Sequence, residues 1–135
     1  MAGACIIGPR KILIAFDINL QTDDVAVARE IARKIRASSG GMPFVKVLGL
    51  PLARRGLAQV SMNLTDFEQT PLHEVFDAVQ REAAARGVAI AGSEIIGLIP
   101  KKALEDAAAH YLKSENFESG LVLENQLAKA QRALE

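Results

Sequence analysis

Five short polar side chains recur at every second position of two otherwise apolar segments: Asp17 and Asn19 in Lys11–Leu20, and Gln59, Ser61 and Asn63 in Leu57–Thr65. Side chains alternate faces along an extended chain. Each polar set therefore shares one side, while Ile12, Ile14, Phe16, Ile18 and Leu20, or Val60, Met62 and Leu64, occupy the other. Carboxylate, carboxamide and hydroxyl groups of this size offer defined donors and acceptors without the rotamer entropy of lysine. The chemistry they suit is recognition of a polar ligand or a docked surface, with a plain solvated sheet face as the alternative.

Other residues of chemical interest are fewer. Glu94, in Gly92-Ser93-Glu94, lies two residues from a glycine that permits close approach of another backbone or ligand, with a salt bridge or an exposed edge charge as the alternative. Arg29, Arg33 and Arg36 form one helical stripe beside Lys34; the stripe suits an anionic tail, although such stripes are usually solvated. His73 falls in the first turn of a predicted helix, where contact with backbone or Glu74 is the expectation, and His110 has a surface or packing role. Two distant histidines and the lone Cys5 lack metal-ligand spacing, and no phosphate-binding glycine motif is present, so no metal is expected.

The elements that position these residues follow from periodicity. Thr22 is the expected cap of a helix carrying Val27, Ile31 and Ile35, ended by Gly40 and Gly41. Phe44–Leu52 and Leu57–Thr65 read as an antiparallel pair, and Thr70-Pro71 opens a helix with Leu72, Val75, Phe76 and Val79 as its apolar stripe. Val88–Ile99 supplies a fourth strand, Pro100 starts a helix through about Leu112, and a last helix runs from about Ser119 to Ala133. The order β-α-β-β-α-β is that of an α+β, ferredoxin-like sandwich: an antiparallel sheet with two helices on one face and extra C-terminal helices. The expected strand order is four-one-three-two, which places the two polar rows side by side.

Composition bounds the function classes. A chain of 135 residues, half of them hydrophobic, fits a single domain. Its formal net charge of zero gives no overall attraction to nucleic acid or an anionic membrane. No run reaches the roughly twenty apolar residues of a membrane span. A single cysteine and a poor signal sequence point to the cytoplasm.

Four stretches also resemble a known family. Gly8-Pro-Arg-Lys-Ile-Leu-Ile-Ala-Phe-Asp-Ile-Asn-Leu20, Leu57-Ala-Gln-Val-Ser-Met-Asn-Leu64, Thr70-Pro-Leu-His73 and Gly92-Ser-Glu-Ile-Ile-Gly-Leu-Ile-Pro100 are similar to the C-terminal subdomain of the glutamate formimidoyltransferases, a unit also found in formimidoyltransferase-cyclodeaminases. The resemblance covers about Gly3 to Leu127. It implies formimino transfer from N-formimino-L-glutamate to tetrahydrofolate, the cosubstrate, in histidine degradation, with folate held between two ferredoxin-like subdomains. Residues 1–135 would then be one folate-binding subdomain, with Asp17, Asn19, Gln59, Ser61, Asn63 and Glu94 along the groove. Lys34 falls near the folate-binding part of the first helix, and Gly3 matches the end of the preceding linker.

The family's catalytic histidine belongs to an N-terminal subdomain absent here. The resemblance thus predicts no turnover alone, a partner supplying that half, and a homodimer as the substitute for it. A noncatalytic dimerisation or small-ligand module is the alternative reading. An RNA-recognition module, which shares this element order, is disfavoured because the third strand has no aromatic side chain.

Overall fold

The alternation read in the first segment becomes the central strand of the sheet. The computed structural model describes residues 12–134, so Gly3 and Lys11 lie outside the described residues. The elements are β1 (Ile14–Leu20), α1 (Val25–Ile35), β2 (Val45–Leu52), β3 (Leu57–Leu64), α2 (Leu72–Ala85), β4 (Ile90–Ile96), α3 (Lys101–Leu112) and α4 (Leu123–Ala133). The four strands lie in the order β2-β3-β1-β4, and every adjacent pair is antiparallel. The expected α+β, ferredoxin-like architecture is the one observed.

The core forms where the apolar phases meet. Ile14, Phe16, Ile18 and Leu20 of β1, Val60, Met62 and Leu64 of β3, and Val45 and Val47 of β2 pack with Ala28, Ile31, Ala32 and Ile35 of α1 and with Leu72, Val75, Ala78 and Val79 of α2. Phe76, on the expected apolar stripe of α2, packs against this cluster and is partly buried. Gly49 lets α1 approach β2 closely, because a Cβ there would lie 2.4 Å from the backbone nitrogen of Arg29.

Several boundaries differ from the sequence reading for local reasons. Asp24, rather than Thr22, caps α1: its carboxylate accepts from the Ala26 backbone N–H at 3.0 Å. Thr22 instead accepts from the Asp24 N–H, holding the residue that does the capping. A short 3₁₀ turn at Ser119–Leu121 precedes α4, which begins later than expected. The fourth strand is shorter than Val88–Ile99 and carries a bulge, since Asn19 pairs with Gly92 while Leu20 pairs with Ile90. The extra residue, Ala91, reverses the phase of β4. Ile90 consequently joins the core, and Gly92, Glu94 and Ile96 share the face of Asn19, Asp17 and Ala15.

Candidate functional site

Antiparallel register assembles the polar rows expected from sequence. On the face opposite the core, Lys46, Asn63, Ala15 and Ile96 form one row across the four strands. Leu48, Ser61, Asp17 and Glu94 form the next, and Leu50, Gln59, Asn19 and Gly92 the third. The sheet therefore brings Asp17, Asn19, Gln59, Ser61, Asn63 and Glu94 onto one face.

Three of these residues are joined by hydrogen bonds. The Gln59 amide donates to Asn19 Oδ1 at 3.0 Å, and the Asn19 amide donates to Glu94 Oε2 at 3.0 Å. Asn19 is 1% exposed and Gln59 8% exposed, so the relay is shielded at β3 and β1 and emerges at the exposed Glu94 on β4. Asn63 is exposed, whereas Ser61 and Asp17 are half-buried. Asp17 and Glu94 stand directly opposite one another on β1 and β4, an arrangement of like charges that invites a partner rich in hydrogen-bond donors or positive charge. Gly92 does not fulfil the close backbone approach expected of it, since a Cβ there would meet nothing within 4 Å.

Along β2 the surface opens into a groove of about 580 Å³ lined by Arg36, Lys46, Leu48, Ser61, Asn63 and Thr65, among others. That volume lies in the range of small-molecule sites, roughly 300–1,000 Å³. The face is electrostatically graded. Lys46 stands on β2, where Arg36 also lines the groove, and the carboxylates of Asp17 and Glu94 stand on β1 and β4.

Lys34 is not part of this surface. It is exposed on α1, which packs over the core side of β2 and β3, and it borders a separate cleft with Glu30, Arg33, Ser39, Gly40 and Arg86. Arg29, Arg33 and Arg36 line another cleft beside Leu48 and Gly49, so their stripe reaches the β2 edge. Gly3 lies outside the described residues.

The histidines reveal a constellation that sequence spacing does not announce. His73, expected to contact backbone or Glu74, stacks on His110 with ring centroids 4.3 Å apart. His110 Nε2 lies 2.7 Å from Asp77 Oδ2, and the Tyr111 hydroxyl donates to Asp77 Oδ1 at 3.1 Å. Burial, reinforced by the bond to Asp77, pushes the Tyr111 hydroxyl well above its ordinary range and keeps it a donor. The start of α2 meets the end of α3 here, so residues separated by more than thirty positions become neighbours. Among the described residues no group of three His, Cys, Asp or Glu side chains has the geometry to hold a metal ion. No described helix is long and apolar enough to cross a membrane.

Residues 15–132 match a family model described as a formiminotransferase domain. The chain is 44% identical over 129 residues to a glutamate formimidoyltransferase of Thermoplasma acidophilum, covering 96% of this chain and 43% of that protein. It is 45% identical over 127 residues to one from Streptococcus pyogenes, covering 93% and 42% respectively. A formimidoyltransferase-cyclodeaminase of Sus scrofa is 42% identical over 120 residues, covering 85% of this chain and 22% of that protein. The chain thus spans less than half the length of these curated relatives.

Proposed function

From the premise that this chain belongs to the formiminotransferase domain family, we propose that its polar sheet face is one wall of a tetrahydrofolate site. The reaction would be formimino transfer from N-formimino-L-glutamate, in histidine degradation, and the chain would act as the C-terminal subdomain of the transferase. The observation that carries this reading is the groove along β2, which runs from Arg36 and Ser38 after α1 across that edge strand to the face opposite the core, where Ser61 and Asn63 line it with Lys46 at hand.

The grading of the face gives the ligand an orientation. From β2 to β4 the surface spans three strand spacings, roughly 14 Å, a reach suited to an elongated ligand. Lys46 attracts the carboxylate end, while Asp17 and Glu94 accept from the N–H groups of the heterocycle. Glu94 would do so in a fixed pose, because the Asn19 amide holds one of its oxygens.

Formimino transfer requires the folate amine to bond to the formimino carbon as that carbon's bond to the glutamate nitrogen breaks. The proton lost by the attacking amine must reach the departing glutamate nitrogen. His73 and His110 sit between α2 and α3, away from the polar rows, so neither is placed to move that proton at this wall. The proton-moving group belongs to the N-terminal half of the transferase, and this half contributes binding and orientation.

The test is reconstitution. The chain is mixed with an N-terminal subdomain from a relative, and formimino transfer is followed as a function of tetrahydrofolate concentration. Activity is expected only in the mixture, with Asn63→Ala raising KM for tetrahydrofolate about tenfold, the loss of one or two hydrogen bonds. An unchanged KM in Asn63→Ala, or full turnover by the chain alone, would overturn the assignment.

A further inference from the structure

Phe44 enters β2 with φ at +64°, in the left-handed region. A bulky side chain rarely adopts that conformation, whereas glycine takes it at no steric cost. The other non-glycine residue described there, Lys113, closes α3; Phe44 closes no helix. Neighbouring side chains hold the backbone in place: the Thr65 N–H and hydroxyl both donate to the Phe44 carbonyl, at 2.9 and 3.2 Å, and the Thr70 hydroxyl donates to the Pro43 carbonyl at 2.7 Å. A phenylalanine kept in a conformation that suits glycine calls for a use of its ring.

Packing does not supply that use. Phe44 is 40% exposed, and it is not among the hydrophobic residues packed against the core. Among the described residues its ring pairs with no other aromatic side chain. It lines the groove along β2 instead, together with Lys46, Ser61 and Asn63.

We infer that Phe44 is a specificity-determining residue of this groove: its ring packs on the aminobenzoyl ring of the folate while Lys46 meets the adjoining glutamate carboxylates. The assignment rests on the folate reading proposed above and adds which part of the ligand lies at the β2 edge. Lys46 follows Phe44 by two residues, roughly 7 Å along an extended chain. In folate an amide and one carbon separate the aminobenzoyl ring from the first carboxylate, a spacing that lets the two residues act together. The charge at this end is unspent, because Lys46 forms no ion pair among the described residues, and Arg36, its Nε donating to Ser39 at 2.8 Å, lines the same groove. An aromatic ring with an anionic arm is therefore the chemistry that this end of the groove takes.

The probe is N-(4-aminobenzoyl)-L-glutamate, which carries that ring and both carboxylates without the heterocycle, with N-acetyl-L-glutamate as the control that lacks the ring. Each is titrated into the purified chain and followed in aromatic ¹H–¹³C correlation spectra. The Phe44 ring signals are expected to move saturably with the aminobenzoyl compound, which should bind about threefold to tenfold more tightly than the control, the worth of an aromatic pair. Phe44→Gly should bring the two affinities together while melting within about 5 °C of the wild-type chain, since glycine suits the backbone there. Phe44→Tyr should keep the discrimination, and Lys46→Ala should weaken both compounds. Phe44 signals that stay unmoved, or equal affinities in the wild-type chain, would overturn the inference. A Phe44→Gly chain that melts far below the wild type would also do so, because the ring would then serve packing. Neither measurement involves transfer or the N-terminal half: a groove that fails here while Asn63→Ala still raises KM in the reconstituted enzyme leaves the proposed function standing, and the converse result leaves Phe44 as an aryl-carboxylate contact.

Discussion

Both ends of the Asn19 amide are engaged within the sheet, so its contribution to a ligand is made through Glu94 rather than by contact. Asn63 is the opposite case, an exposed amide at the groove. Substitution should separate the two roles. Asn19→Ala removes the acceptor for Gln59 and the donor for Glu94 in a shielded setting, and should lower unfolding free energy by about 1–3 kcal/mol in urea titrations. Asn63→Ala should leave stability within about 0.5 kcal/mol, as surface changes usually do, while weakening folate use. Equal stability of the two variants would show that the relay is not structural.

Packing of the elements depends on contacts that no linear pattern reports. Gly49→Ala should destabilise the chain by about 1–3 kcal/mol in thermal or urea melts, because a methyl group would press on the α1 backbone at Ala28 and Arg29. A near-neutral result would mean that α1 can shift off β2 freely. The C-terminal helix has its own tether. Glu105 on α3 accepts from Asn125 at 2.8 Å and from Ser119 at 2.7 Å, and those bonds hold its carboxyl below its ordinary value. A depressed carboxylate contributes stability that is complete above its unfolded value and is lost as pH falls through the folded one. Amide exchange across Leu123–Ala133 should therefore accelerate on acidification below the ordinary carboxylate range, and Glu105→Gln should blunt that dependence. Exchange that is indifferent to pH beyond its intrinsic rate would remove Glu105 as the tether. Much of this scale was legible in the sequence: strict alternation in β1 and β3 gave the face assignment, and Pro71 and Pro100 gave the starts of α2 and α3. The bulge that re-aims Glu94 was not legible, since one extra residue changes phase without changing composition. The histidine pair escaped for a different reason: only the crossing of α2 and α3 brings positions 73 and 110 together.

At the scale of the whole molecule, the polar face is also an adhesive one. Leu13, Leu48 and Ile96 are 52%, 60% and 48% exposed, and they border the polar rows, whereas Leu57 is buried. Apolar groups distributed in this way on a surface rimmed by polar side chains favour association. With zero formal net charge, copies of the chain have no long-range repulsion to keep them apart. The grading of the face also makes it self-complementary, because a twofold axis can place Lys46 of one copy over Asp17 and Glu94 of another. We expect a concentration-dependent dimer in sedimentation velocity that weakens with added salt, as interactions between exposed charges do once the screening length falls below about 10 Å. Leu48→Asp should shift the chain to monomer by placing a carboxylate in the apolar part of the contact. An N-terminal subdomain that occupies the same face should displace the dimer in proportion to the amount added. A dimer that persisted through Leu48→Asp and coexisted with the bound N-terminal subdomain would have to use another surface, and the sheet face would then lose its role in self-association.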